Sequence, residues 1–361
     1  MDYILKEILE ESEAARTTIE KGDASQRQAA HAVLAADPDA IYAVGCGSSY
    51  FAGMMARYPI EGFVHIPTIA LSATDFITYS LDTITDASVV IGISQSGESF
   101  ETVEAIEKAK DRGALLVGLT NNPTSSIGHI ADELILTYAG EEKASGTKTV
   151  LAQMLAAYQF ALAMAELKSD IFSEAHRVLA NELDKMPDTI GKLLERRDDA
   201  IRLAKELKDD SNLYLVGAGP FYPLGLQIAN TAREIARVHV NAFDVVEFRH
   251  GPLEIVESGT PVVFISNSYS PLRDNIATLA SLVKRAGGRV IAATDESDVE
   301  LNRAADIQVT MPSMSEIAGA IAYLSFFHMF LYNLAVEKGL NPNEFRNIVK
   351  TWTQEPGEQE H

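Results

Sequence analysis

Between Ala40 and Tyr138 short apolar runs alternate with amphipathic stretches. The runs lie at 41–44, 64–70, 88–93, 114–119 and 133–138, with helical spacing from about Ser49 and from Ser99 to Arg112. Near-continuous apolar strands separated by helices are what a parallel sheet covered on both faces requires, because neither face of such a strand meets water. Gly113, Asn121, Asn122 and Pro123 mark the turns. Upstream, Ile4, Ile8, Ala14, Ile19, Ala29 and Val33 recur among charged residues at helical spacing and predict two amphipathic helices. Residues 149–209 carry no strand signal and predict long helices. A second alternating stretch runs from Ser211 to Met311, followed by an apolar helix at 316–337 and a tail whose last seven residues read as frayed.

The second stretch repeats the first. Asn212 to Ile228 (NLYLVGAGPFYPLGLQI) matches Ala40 to Ala56 (AIYAVGCGSSYFAGMMA): an apolar run, a G-x-G turn and a helix-like segment, offset by 172 residues. Later pairs keep step, with Val262-Val263-Phe264 answering Val89-Val90-Ile91 at an offset of 173 and Asp306 answering Asp132 at 174. The chain therefore reads as N-terminal helices (1–36), a first α/β domain (37–150), a helical linker (151–209), a second α/β domain (210–338) and a tail (339–361). Each domain is expected to be an α/β parallel sheet with helices on both faces. The copies differ after their third strand. The first reads Ser94-Gln95-Ser96-Gly97-Glu98-Ser99, a hydroxyl- and glycine-rich turn that can wrap an anion; the second reads Ser266-Asn267-Ser268-Tyr269-Ser270-Pro271.

At 361 residues the chain has room for two cores. A net charge of −21 argues against sequence-independent nucleic-acid binding, which needs clustered Lys and Arg. A small anion remains a possible ligand, since helix-start N–H groups hold phosphate locally even in an acidic protein. No secretory signal is visible and no apolar run is expected to reach the length of a bilayer span, so no membrane partner is expected. The single Cys46 fits a reducing compartment, and the reading is a soluble cytoplasmic protein. The eight histidines are scattered without ligand spacing, so neither a metal nor a cofactor is expected.

In an open parallel sheet ligands sit beyond the carboxyl ends of the strands, where Ser94, Gln95, Ser96, Ser99 and Thr102 fall. Gly97 lets the backbone approach closely, and the serines add donors to the helix-start amides. An ordinary N-cap with turn residues would use the same residue types. Together with Gly45-Cys46-Gly47-Ser48-Ser49-Tyr50, however, this loop resembles the sugar isomerase (SIS) domain family. Residues 30–355 resemble the tandem-SIS isomerase portion of glucosamine-6-phosphate synthase and the fructosamine-6-phosphate deglycases. The resemblance implies flavodoxin-like α/β domains and a sugar 6-phosphate held by Ser48, Ser49, Ser94, Gln95, Ser96 and Ser99, with Thr102 behind them and Gly47 and Gly97 shaping the turns. Cys46 is then a small filler, not a nucleophile.

Isomerising a phosphosugar needs a group to open the ring, a carboxylate to carry a proton between C1 and C2, and stabilisation of the enol-like charge. Asn230 to Pro252 (NTAREIARVHVNAFDVVEFRHGP) holds Glu234 and, sixteen positions later, His250 in Glu-Phe-Arg-His-Gly-Pro. By position the resemblance makes Glu234 the proton shuttle and His250 the ring-opening group, with Glu247 and Arg249 orienting the turn. Taken alone, Glu234 is equally a solvated helix carboxylate and His250 a turn histidine. His239, between Val238 and Val240, is expected to pack. Arg346-Asn347-Ile348-Val349-Lys350-Thr351 resembles the synthase segment whose lysine forms an imine with the open-chain ketose, which would make Lys350 that residue.

Two departures push away from the synthase: Thr231 stands where it has a second lysine, and the sequence begins Met1-Asp2 with neither a glutaminase domain nor an N-terminal cysteine. The expectation is an amino-sugar-6-phosphate enzyme of deaminase or deglycase type that does not draw ammonia from glutamine by itself. A simple aldose–ketose isomerase, an isomerase subunit serving a separate glutaminase, and a non-catalytic sugar-phosphate sensor stand as alternatives. The family further implies a homodimer whose sites are completed across the two-fold axis.

Overall fold

The computed structural model describes residues 2–168 and 173–354. The chain divides into two compact units. The first comprises residues 10–187 and 346–361, the second residues 1–9 and 188–345.

The first unit holds a parallel sheet of β1 (Ala40–Gly45), β2 (Thr68–Ser72), β3 (Ser88–Ile93), β4 (Leu115–Thr120) and β5 (Glu133–Leu136) in the order 2-1-3-4-5. β3 lies at its centre and is buried along all six residues, which is why everything in it after Ser88 is apolar or glycine. The second unit repeats the topology with β6 (Asn212–Gly217), β7 (His239–Asp244), β8 (Pro261–Ile265), β9 (Arg289–Thr294) and β10 (Ile307–Thr310), in the order 7-6-8-9-10. All pairings in both sheets are parallel. This is the flavodoxin-like order, in which the loops after the first and third strands of each copy meet at the topological switch point.

The second strand begins later than the apolar run at 64–70 suggests. Ile60–Val64 continue the preceding helix as a π-turn, and His65 in the left-handed region (φ 60°) ends it before β2 starts at Thr68. The second copy does the same: Ala232–Ala236 form a π-turn that Arg237 (φ 52°) ends before β7. At the N-terminus the predicted helices are Tyr3–Leu9 and a long one, Glu11–Ala36.

Two helices, Lys148–Leu167 and Glu316–Glu337, are long and apolar enough to cross a membrane, which corrects the expectation that no apolar run reaches that length. Within the structure 83% and 94% of their most apolar windows are buried. Each is a helix surrounded by protein, and such a helix is hydrophobic all round. In the first unit Lys148–Leu167 packs against Glu11–Ala36 and Ser48–Pro59, and Phe160, Ala161 and Met164 join Ile41, Ile91 and Ile135 in one core.

Candidate functional site

In the first unit the chain leaves β3 at Ile93 and makes one tight turn before the helix Phe100–Asp111. The Ser94 N–H still donates to the Leu119 carbonyl (3.1 Å), while the Gly97 N–H folds back onto Ser94, reaching its carbonyl at 3.2 Å and its hydroxyl at 3.1 Å. Gly97 turns with φ +72°, and a Cβ there would come 1.9 Å from Ser125 Oγ, so only glycine closes the turn. Gln95 is tied down through its carbonyl, which accepts from Asn121 N–H at 3.0 Å and from Thr120 Oγ1 at 3.3 Å.

Ser99 is the N-cap of the helix but its side chain does not cap. Its hydroxyl instead lies 3.0 Å from Ser94 Oγ, which in turn is 3.5 Å from Ser96 Oγ. Ser125, by contrast, accepts from Gly128 N–H at 3.2 Å as a capping serine should. Among the described residues no protein acceptor takes the Ser96 or Ser99 main-chain N–H. Three converging hydroxyls and two unused amides lie at the positive end of a helix, an arrangement whose chemistry suits an anion. The ordinary N-cap arrangement is not what this loop adopts. Thr102 is fully buried and donates to Cys46 Sγ at 3.8 Å, so it backs the cradle from inside. Burial pushes the Cys46 thiol up, only partly offset by Thr102, which disfavours the thiolate that nucleophilic work needs.

Beyond β1 the chain turns at Gly47 (φ +52°) into the helix Ser48–Pro59. Ser49 Oγ accepts from Gln153 Nε2 at 3.1 Å, and Ser48 Oγ lies 3.7 Å from where a Cβ on Gly146 would stand. The loop before the helix Lys148–Leu167 therefore borders the Gly47 turn. Lys350 reaches this same loop. Its ammonium donates to the Ala144 carbonyl at 2.8 Å and pairs with Glu142 Oε2 at 3.1 Å. The Glu142 side chain is only 1% exposed against 27% for Lys350. Glu142 also accepts from the Thr147 N–H (2.9 Å), the Thr147 hydroxyl (3.2 Å), the Thr149 N–H (3.2 Å) and the Thr149 hydroxyl. Two residues beyond Lys350, the Trp352 carbonyl accepts the Phe100 N–H at 3.0 Å, the first amide of the helix behind the cradle. Sequence reasoning misses Glu142, Thr147, Thr149 and Trp352. The stretch Ser145-Gly146-Thr147-Lys148-Thr149 is the available signal: hydroxyls and a glycine ahead of an apolar helix, the same signature as Ser94 to Ser99.

The other candidates belong to the second unit. Glu234 lies in the π-turn after the helix Phe221–Thr231, half-buried, with Asn230 Nδ2 donating to its Oε1 at 2.8 Å. π-turns inside helices frequently sit at functional positions. Thr231 is fully buried and its hydroxyl accepts from Gln227 Nε2 at 3.1 Å. β7 leads to a five-residue helix, Val245–Arg249, capped by Asp244, and His250 follows, exposed, its N–H donating to the Glu247 carbonyl at 3.0 Å. Glu247 holds the turn through that carbonyl; the Glu247 and Arg249 side chains are exposed. His239 is exposed and does not pack, because strand alternation turns Val238 and Val240 inward and His239 out.

Residues 35–163 and 206–338 each match the SIS domain family. The glutamine–fructose-6-phosphate aminotransferase (isomerizing) of Pyrococcus horikoshii is 31% identical over 354 residues, 98% of this chain and 58% of that protein. The chain thus spans little more than half the length of this relative. Among solved structures, the C-terminal domain of the glucosamine–fructose-6-phosphate aminotransferase from Francisella tularensis superposes with a TM-score of 0.86 at 27% identity, covering 93% of this chain and 96% of that one. A glucosamine-6-phosphate deaminase from Thermotoga maritima shares the fold, with a TM-score of 0.76 at 19% identity over 97% of this chain and 99% of its own.

Proposed function

The chain belongs to the SIS domain family, and from that premise we propose that it is a phosphosugar isomerase-type enzyme acting on amino-sugar 6-phosphates, of deaminase or deglycase type. The observation that supports this reading is the Ser94–Ser99 loop, whose three hydroxyls converge and whose Ser96 and Ser99 main-chain amides have no protein acceptor among the described residues. In this reading Ser48, Ser49, Ser94, Gln95, Ser96 and Ser99 take the phosphate. His250 opens the ring by moving a proton between the ring oxygen and O1. Glu234, oriented by Asn230, removes the C2 proton of an open-chain 2-amino aldose, giving an enolamine, and returns it to C1. The resulting C2 imine adds water and releases ammonia, so that amino-sugar phosphate and water become ketose phosphate and ammonia. A 1-amino ketose phosphate runs the same proton transfer from C1 to C2, and water then releases the amine from the C1 imine.

The buried, hydrogen-bonded Thr231 favours this reading over the synthase reaction, because no second ammonium faces Glu234 from that position. A second reading, an aldose–ketose isomerase module like the relatives' C-terminal half, is favoured by the placement of Lys350 in the same unit as the cradle. We place the enzyme in the cytoplasm as a homodimer. The deciding experiment offers glucosamine 6-phosphate, fructosamine 6-phosphates and fructose 6-phosphate to the wild type and to Glu234→Gln. Release of ammonia or amine with hexose phosphate, lost by about two to four orders of magnitude in the variant with binding retained, is the expected result. Interconversion of hexose phosphates without nitrogen release would instead select the second reading, and full activity of Glu234→Gln would remove the shuttle.

A further inference from the structure

The two copies share the glycine turn after their first strand and a serine-containing loop after their third. Gly219 turns with φ +53° where Gly47 turns with φ +52°, and β8 runs into Ser266 to Pro271 where β3 runs into Ser94 to Ser99. What stands over the two turns differs. A Cβ on Gly47 would meet nothing within 4 Å, whereas one on Gly219 would lie 3.3 Å from Oε1 and 3.4 Å from Oε2 of Glu316. Glu316 is the first residue of the helix Glu316–Glu337, and its carboxylate faces the turn with the Ser270 hydroxyl near enough to act on its titration. The loop's Ser268 N–H is also taken, by Asp295 Oδ2 at 2.7 Å. Burial raises the Glu316 carboxyl above its ordinary range, partly countered by Ser270, so desolvation of this group works against its position there.

A carboxylate standing over a positive-φ glycine turn at the end of a parallel strand is in the position of a bound anion. We propose that Glu316 is a resident internal anion: its carboxylate fills, in the second unit, the place that the phosphate takes in the first, so the chain has one sugar-phosphate site and not two. The comparison with the first unit rests on the phosphate reading above; the filling of the second cradle by Glu316 does not. Removal of the carboxylate leaves a cradle that free phosphate can enter.

The test is thermal unfolding of the full chain in inorganic phosphate against chloride at equal ionic strength. Four proteins are compared: wild type, Glu316→Ala, Ser96→Ala/Ser99→Ala, and the triple variant. Glu316→Ala should gain about 3 to 6 °C more than the wild type at roughly ten times the new site's Kd, and the extra gain should persist in the triple variant, whose first cradle is disabled. Should Glu316→Ala not fold, Glu316→Ser serves the same purpose, since it too vacates most of the cradle. Glu316→Gln keeps the cradle filled and should show no extra gain. An equal phosphate gain in wild type and Glu316→Ala overturns the proposal. Failure of the phosphate reading looks different: the wild type gains nothing from phosphate while Glu316→Ala still does.

Discussion

Ser94, Ser96 and Ser99 point their hydroxyls at one another, and hydroxyls so placed at a helix start are suited to a shared acceptor. Ser96 and Ser99 are half-buried and can reach a ligand, while Ser94 is almost fully buried and holds the turn. Replacing Ser96 or Ser99 by Ala should therefore weaken binding by about 1.5 to 3 kcal/mol each, seen as a raised KM with kcat little changed. Inorganic phosphate should lose potency as a competitive inhibitor in parallel; an unaltered inhibition constant would put the anion elsewhere. These serines are legible in the sequence because type and spacing alone mark a hydroxyl- and glycine-rich turn. Glu142 is not, because the cation it anchors, Lys350, lies 208 residues away.

At the scale of elements, the C-terminal segment is docked on the first unit through Lys350, which bonds Glu142 and the Ala144 carbonyl, and through the Trp352 carbonyl, which accepts the Phe100 N–H. Glu142→Gln keeps the shape and leaves the Lys350 ammonium without its counter-charge in a largely buried place. A stability loss of about 1 to 3 kcal/mol is expected, discounted from the fully buried case because the lysine is partly exposed. Trp352 is the chain's single tryptophan, so its emission and its quenching by acrylamide report docking of the tail without any substrate. A red shift and stronger quenching in Glu142→Gln are expected; an unchanged spectrum would mean that the Phe100 contact suffices. Element type is legible where the period is long and uniform, as in β3 or the helix Glu316–Glu337. It slips at the start of the apolar run at 64–70, which reads as strand from its first residue, whereas the chain completes a π-turn at Val64 and enters β2 only at Thr68. The apolar content of Lys148–Leu167 misleads in the other direction: the helix has the composition of a membrane span because protein surrounds it.

For the whole molecule, the proposed division of labour puts the phosphate cradle and Lys350 in one unit and Glu234 and His250 in the other. If the histidine is contributed across a homodimer interface, mixing inactive Glu234→Gln with inactive His250→Ala should restore part of the activity through hybrid dimers. Absence of recovery after demonstrated subunit exchange would assign both groups to one chain's site. The doubling of the fold and the alternation of parallel strands with helices were determined by the sequence itself, since the 172-residue repeat and the strand period are properties of residue order. Only the tertiary structure decided that Ser99 does not cap its helix, that Lys350 is anchored on a buried carboxylate, and that Glu316 stands over Gly219 while the space over Gly47 is open. Each of these is a contact between groups whose separation along the chain carries no periodic signal, so it comes into being only when the core has placed them together.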